Sequence, residues 1–358
     1  MSSRLERFRA AMRERRLAAA LIWAPANVRY LAGFTGTEGT LLITDQRAVF
    51  LTDSRYTEQA GAQVAPYGFT VHTFKNKFKE TAELARQSGA GAVGFEEEVA
   101  TVGQYKQLAA EFGAIALEPI GKLATNLRLV KDAGEIAAIR RAVIVQEEAL
   151  EAVAPQLTPG ASEWDVSLAL EFEMRKRGAS AVSFETIVGS GPRGAMPHGV
   201  ASDKKIERGE LIVIDWGCIV DGYCSDQTVT FAVGEPRDAD AKKVYEIVRR
   251  AQAACIAAIR PGMEMKDIDK AARAIIADAG YGSYFGHGVG HGVGLEIHEE
   301  PRVNPLGTGV AEVGMVFTVE PGVYLPGRFG VRLEDIVLVT EGGAECLTGV
   351  SKTWRTTI

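Results

Sequence analysis

Leu211-Ile-Val-Ile-Asp215-Trp-Gly-Cys-Ile-Val-Asp221-Gly222-Tyr-Cys-Ser-Asp226 is the stretch that decides the fold of the larger part of this chain. Its first four residues form a short apolar run, which reads as a buried strand. Asp221-Gly222 is the strongest short signal for a two-residue hairpin turn. Counting outward from that turn sets Val220 against Tyr223 and Gly217 against Asp226. Asp215 lies two residues before Gly217, so it shares a face with Asp226. The two carboxylates become diagonal neighbours, roughly 7–8 Å apart at the backbone. Pro326-Gly327 signals a second hairpin, and Glu320 and Glu334 are each seven residues from Gly327. They too meet across paired strands.

Four carboxylates on one face would repel or protonate if left bare, so cations are their natural complement. A spacing of this kind suits two cations about 3.5–4 Å apart. His291 joins the set from the glycine-rich string Phe285-Gly-His-Gly-Val-Gly-His291-Gly-Val-Gly294. His287 and His291 are four apart, as on a metal-binding helix, but glycine at every second position argues for an extended or irregular segment. Three of the five histidines, His287, His291 and His298, fall in this short region. The set is rich in oxygen. It favours two divalent ions of the manganese kind over a closed zinc site built from thiolates. Taken singly, each acidic residue at a strand end reads as a solvated side chain; the joint arrangement carries the argument. A paired-metal site makes hydroxide from water near neutral pH, so hydrolysis is the expected chemistry.

The bulk numbers leave room for this. A chain of 358 residues can hold two domains with proper cores. Its net charge of −6 gives no reason to expect nucleic acid. No apolar stretch approaches the roughly 20 residues needed to span a bilayer, so no membrane is expected. The N-terminus, Met1-Ser-Ser-Arg-Leu-Glu-Arg-Phe-Arg9, is charged and does not read as a secretory signal. Cys218, Cys224, Cys255 and Cys346 show no Cys-x-x-Cys spacing. They read as small buried hydrophobes in a reducing cytoplasm.

The organisation predicts an α/β domain over 1–125 and an α+β domain over 126–358. In the first, helices 4–16, 54–62, 77–88 and 102–112 alternate with strands 18–23, 41–44, 48–52, 92–95 and 115–117. In the second, Asp132 with Glu135, and Ser162 with Asp165, mark two helix starts. Further helices fit 239–259 and 265–279, with Arg260-Pro261-Gly262 between them. Strands are expected at 183–188, 211–215, 227–233, 315–320 and 331–339, forming a curved antiparallel sheet backed by helices. No repeat stands out in the sequence.

The segments Asp215-Trp-Gly, Gly222-Tyr-Cys-Ser-Asp226, Gly290-His-Gly-Val-Gly, Thr318-Val-Glu-Pro-Gly and Val331-Arg-Leu-Glu334-Asp resemble the pita-bread metallopeptidases. That family includes methionine aminopeptidase, aminopeptidase P and prolidase. The first 125 residues resemble the creatinase-type N-terminal domain of its proline-specific branch. The resemblance implies a creatinase-type domain followed by a pita-bread catalytic domain. It implies that Asp226 and Glu334 bridge two metals, most often manganese, with zinc or cobalt as alternatives. Asp215 would bind one metal, and His291 and Glu320 the other. It implies attack by a bridging hydroxide, with Glu320 managing protons. His198 and His287 would serve the active site, and His298 would help hold the scissile carbonyl. Tyr324 and Arg332 would stand near the metal shell. Creatinase itself lacks the ligands that this chain keeps. One departure is Val229, where the family often has arginine; a neighbouring ionic contact is expected to be missing.

The reading that follows is a cytoplasmic, homodimeric Xaa-Pro peptidase acting on proline-containing peptides. The length of the chain and the stretch His198-Gly-Val-Ala-Ser-Asp203 most resemble small bacterial aminopeptidase P. Prolidase, which cuts Xaa-Pro dipeptides, is the near rival. Arg302 supports it, because an arginine there could bind a dipeptide carboxylate; the plainer reading is a surface arginine. The aminopeptidase reading expects open space at that point. A silent binding protein on the same fold and a creatinase-like amidinohydrolase are the remote rivals.

Overall fold

The computed structural model describes residues 3–357 of the chain. They fall into two compact units, one ending at Arg128 and the other starting at Leu129.

The first unit is built on a six-stranded sheet. Its order is Thr70–Thr73, Ala48–Thr52, Thr40–Thr44, Ala19–Ile22, Ala92–Phe95, Ala116–Pro119. Ala19–Ile22, Thr40–Thr44 and Ala48–Thr52 are buried at every position and pair antiparallel in sequence; the outer strands add in parallel. Buried parallel and central strands read as continuous apolar runs, which makes them visible in the sequence. Three elements lie outside the expectations: the helix Pro25–Ala32, the strand Thr70–Thr73 and the short helix Leu123–Asn126. Pro25–Ala32 lacks a side-chain N-cap and is marked only by Pro25 at its start and the left-handed Gly33 at its end, while Thr70–Thr73 is exposed or half-buried throughout.

The second unit has two halves of similar plan. In the first, helices Ala133–Val153 and Glu163–Lys176 pack on strands Ile187–Ser190, Leu211–Trp216 and Gln227–Val233. Both helices begin with formed capping boxes, Asp132 with Glu135 and Ser162 with Asp165. Trp216 is fully buried, and its indole N–H donates to the Gln146 carbonyl at 2.9 Å. In the second half, helices Ala241–Ala258 and Met265–Asp278 back a five-stranded sheet ordered Glu299–Val303, Gly290–Gly292, Val316–Val319, Asp335–Thr340, Gly343–Cys346.

The hairpin counting holds in both halves. Val220 pairs with Tyr223, and beyond a short interruption Thr228 pairs with Asp215 in the same register. The turn residues Asp221 and Gly222 both have positive φ, 52° and 85°, as such a turn requires. In the second hairpin Gly322 pairs with Arg332 and Val319 with Asp335, which sets Glu320 opposite Glu334.

Two expected strands are broken. Of the expected 183–188 strand only Ile187 and Val188 lie in a strand, Ile187–Ser190; residues 183–186 link it to Ala181–Val182, because the chain crosses there from one sheet to another. The 331–339 strand divides into Phe329–Arg332 and Asp335–Thr340, leaving Leu333 and Glu334 between. At that break the Glu334 amide donates to the Thr228 carbonyl at 3.0 Å, which joins the two halves. Val229 packs in the apolar core opposite Ile214, so the position given over to arginine elsewhere is filled here by packing. Three cysteines are buried as expected, but Cys346 is exposed, at the edge strand Gly343–Cys346.

Candidate metal centre

Each ligand candidate lies on or directly beside a different strand or strand break. Asp215 is the fifth residue of Leu211–Trp216, and Asp226 immediately precedes Gln227–Val233. His291 is the middle residue of Gly290–Gly292. The glycines on both sides of it are required by space: a Cβ at Gly290 would run into the Thr318 carbonyl, and one at Gly292 into the Glu300 carbonyl. Glu320 follows Val316–Val319, and Glu334 lies in the break described above.

These elements bring Asp215, Asp226, His291, Glu320 and Glu334 together around a cavity of about 450 Å³. One ligand atom each from Asp226, His291 and Glu334 lies within 4.8 Å of the others. His291 Nε2 is 3.3 Å from Glu320 Oε1 and 3.5 Å from Asp226 Oδ2. Thr228 donates to Glu334 Oε2 at 2.7 Å. Asp215 gives one oxygen to Arg332, while its Oδ1 is buried with no hydrogen-bond partner among the described residues. A buried carboxylate oxygen without a donor is costly. Such an oxygen fits the role of a cation ligand.

The electrostatics agree. Burial, then the charges of Glu334, Asp215 and Glu320, hold the Asp226 carboxyl well above its ordinary range. Burial, then Glu320 and Asp215, do the same to Glu334. Burial also raises Asp215, against the pull of Arg332. Glu320 is the exception: burial works against its ionisation, but the hydrogen bond and charge of His291 outweigh it and bring it to about 2. Without cations the cluster cannot ionise fully. The residues fit divalent metal, with three hard carboxylates, one imidazole and a fourth, partly accessible carboxylate at Glu320, whose side chain is 16% exposed.

The other expected site residues divide in two. His198, His287, His298, Arg302 and Arg332 line the same cavity. Tyr324 stands behind it: its hydroxyl bonds His287 Nε2 at 2.9 Å and receives Arg332 Nη1 at 2.9 Å. Arg332 also donates to Thr228 Oγ1 and to the Pro197 carbonyl, both at 3.0 Å. It therefore links the Asp215 ligand to the segment carrying His198. The rings of His291 and His298 are 4.4 Å apart, edge to face. Burial, then the charges of His291 and Arg302, lower His298 to about 4, so it is neutral at neutral pH.

Three contributors escape a reading of the sequence. Glu163 is fully buried at the first turn of its helix and accepts five hydrogen bonds. The donors are the amides and hydroxyls of Ser190 and Ser202, and Arg193 Nε. One carboxylate thus ties down both ends of the segment that holds His198. Buried Lys131 pairs with buried Glu299 at 2.7 Å, beside His298. Glu185 and Phe184 line the cavity from the crossing between two sheets. No local pattern marks any of them; an acidic residue in a first helical turn is ordinary, and Glu163 is distinguished only by partners at least 27 positions away.

Comparison with known proteins agrees with this geometry. Residues 137–341 match the model of "Metallopeptidase family M24" and residues 4–130 that of the "Creatinase/Prolidase N-terminal domain". The chain is 38% identical over 350 residues to a Xaa-Pro dipeptidase of Pyrococcus furiosus, covering 97% of this chain and 98% of the relative. The solved structure of a Xaa-Pro dipeptidase from Bacillus anthracis matches with TM-score 0.95 and 41% identity, over 99% of both chains. That of an X-Pro aminopeptidase from Thermotoga maritima matches with TM-score 0.90 and 36% identity, over 97% of this chain and all of that one.

Proposed function

The chain belongs to metallopeptidase family M24, and on that premise we propose that it is a metal-dependent Xaa-Pro peptidase whose preferred substrates are dipeptides. The observation that carries the length preference is Arg302. Arg302 is exposed at the mouth of the metal cavity that it helps to line, its side chain has no hydrogen-bond or ion-pair partner among the described residues, and its position on the strand pairs it with His291. A free cation just past the reacting bond suits a carboxylate that follows proline directly. The sequence alone favours an open end and longer peptides; the unpaired arginine in the cavity moves the preference to the rival.

Asp215, Asp226, His291, Glu320 and Glu334 would hold two divalent cations, and manganese suits their mostly oxygen donors. Bound cations would supply Lewis acidity toward water and the scissile carbonyl. The protein's own groups do the rest. Glu320, partly accessible in the cavity, can accept a proton from the attacking water and return it to the leaving nitrogen. Neutral His298 can donate to the carbonyl oxygen as negative charge develops there. His198 closes over the substrate from its anchored segment. Arg332 fixes Asp215, Tyr324 and Pro197 at once, which keeps these groups in a single arrangement.

We extend the proposal to a homodimer in the cytoplasm. Trp164, Leu168 and Phe172 form an exposed apolar stripe on one helix face, 48%, 48% and 65% accessible, which supports self-association. No helix among the described residues is long and apolar enough to cross a membrane.

Comparing Ala-Pro with Ala-Pro-Ala on the manganese-loaded protein tests the reading. The dipeptide should have the higher kcat/KM. Arg302→Ala should raise KM for Ala-Pro by about 10- to 150-fold, the equivalent of about 1.5–3 kcal/mol for a charged hydrogen bond. It should scarcely affect the tripeptide. Preference for the tripeptide would restore the aminopeptidase reading.

A further inference from the structure

The charged side chains around the metal cavity divide into those that are held and those that are not. Asp215, Asp226, Glu320 and Glu334 bond to Arg332, His291, Thr318 or Thr228. Arg332 is held by four groups. Among the described residues, only two charged groups of the lining, Glu185 and Arg302, have no side-chain hydrogen bond or ion pair, and both are exposed at the cavity's open side. They have opposite sign.

They are also carried by strands that pair with different ligands. Arg302 is the register partner of His291. Glu185 precedes by two residues Ile187, which is the register partner of Asp215. Its backbone is fixed, not trailing: the Ser183 amide donates to the Gly217 carbonyl at 3.0 Å and the Ser183 hydroxyl to the Ser225 carbonyl at 2.9 Å. Gly217 and Ser225 neighbour the segments that deliver Asp215 and Asp226. The crossing that splits the expected strand therefore exists at the metal site and sets one unpaired carboxylate at its edge.

A free Xaa-Pro dipeptide has an ammonium at one end and a carboxylate at the other. Two residues of extended chain span about 7 Å. We propose that Glu185 is a specificity residue that receives the α-ammonium of the substrate's N-terminal residue, so that the site reads both charges of a dipeptide zwitterion. This rests on the dipeptidase reading, in which Arg302 takes the other charge. A carboxylate at the Asp215 end also repels the C-terminal carboxylate, so it opposes binding in the reverse direction.

The test uses the full chain loaded with manganese, as wild type, Glu185→Gln and Glu185→Asp. KM and kcat are measured for Ala-Pro and Lys-Pro, and the inhibition constant for propionyl-proline, which lacks the amino group. Glu185→Gln should raise KM for both dipeptides about tenfold with kcat within about twofold, as expected when one charged hydrogen bond is removed from substrate binding. The inhibition constant of propionyl-proline should stay unchanged, and Glu185→Asp should recover part of the loss. An unchanged KM overturns the inference. So does an equal loss toward propionyl-proline, or a loss confined to Lys-Pro, which would assign the carboxylate to a side-chain ammonium. Failure of the dipeptidase reading shows separately, in the wild type alone, as a preference for Ala-Pro-Ala.

Discussion

Two clusters of buried charge lie in the catalytic unit, and they are treated in opposite ways. Around Glu163 five donors converge on one carboxylate, and both of its oxygens are satisfied. At the metal face the six carboxylate oxygens of Asp215, Asp226 and Glu334 face three side-chain partners, Arg332, His291 and Thr228, and one oxygen of Asp215 has none among the described residues. Both clusters are buried in the same unit, so burial alone does not separate structure from function. Satisfaction does: the complete network fixes a segment, and the incomplete one leaves oxygens that suit a cation.

The contrast breaks most visibly at the bridging positions. Asp226→Asn and Glu334→Gln should each lower kcat at least ~1,000-fold, since they remove a cation ligand and its several kcal/mol of transition-state stabilisation. In chelator, the same variants should be more stable than wild type, by about 1 kcal/mol or a few degrees in Tm, because each removes a crowded buried charge. Steady-state rates and thermal melts in chelator check both halves of this prediction. A Tm that falls would mean that the carboxylates are satisfied after all.

Glu163 should behave in the reverse sense. Glu163→Ala leaves five donors facing a cavity and should cost about 3–5 kcal/mol of stability, with or without metal. Glu163→Gln keeps the shape and should cost about 1–3 kcal/mol. Metal content should remain at the wild-type level in the folded fraction, measured by elemental analysis, while kcat falls through misplacement of His198. Loss of metal from Glu163→Gln would merge the two clusters into one.

pH sharpens the comparison further. Asp226 and Glu334 have folded values raised well above ordinary references of 3.8 and 4.5. The folded state thus holds more protons than the unfolded one just above pH 4. The contribution of these two groups to metal-free stability is fully present below about pH 4 and should be lost as pH rises through the raised values. Cations bind the ionised carboxylates, so added manganese should stabilise more as pH rises from about 5 to 8. Melts with and without the ion over that range should diverge; parallel curves would remove the argument.

The smallest effect is expected far from both clusters. Leu168→Glu or Phe172→Glu should turn a dimer into a monomer by light scattering, with fold stability changed by less than about 0.5 kcal/mol. A dimer that persists would place the interface elsewhere.

Much of the metal face is legible in the sequence because it rests on short-range rules. Two turn signals set the registers around 220–223 and 325–329, and those registers fix which carboxylates face each other. Capping boxes at Asp132 and Ser162 locate two helix starts to the residue. What is not legible depends on partners distant in sequence. The break at Glu334 follows from its contact with Thr228, and the crossing at Ser183 from contacts with Gly217 and Ser225. The burial of Glu163 follows from Ser190 and Ser202. A hydrogen bond between positions 27 or more apart leaves no period for a local pattern to catch. Arg302 is visible as a residue, but whether it faces solvent or the site is a question of strand pairing.

The joint at Thr228 and Glu334 has a consequence for the chain cut in two. Asp215 and Asp226 belong to the half built on helices Ala133–Val153 and Glu163–Lys176; His291, Glu320 and Glu334 belong to the other. Each half carries its own helix pair and its own hairpin. Severed in the stretch between Gln227–Val233 and Ala241–Ala258, neither fragment would own a complete coordination sphere. Tight uptake of cation would then report reassembly of the fragments, and the ion would serve as the fastener in a complementation pair.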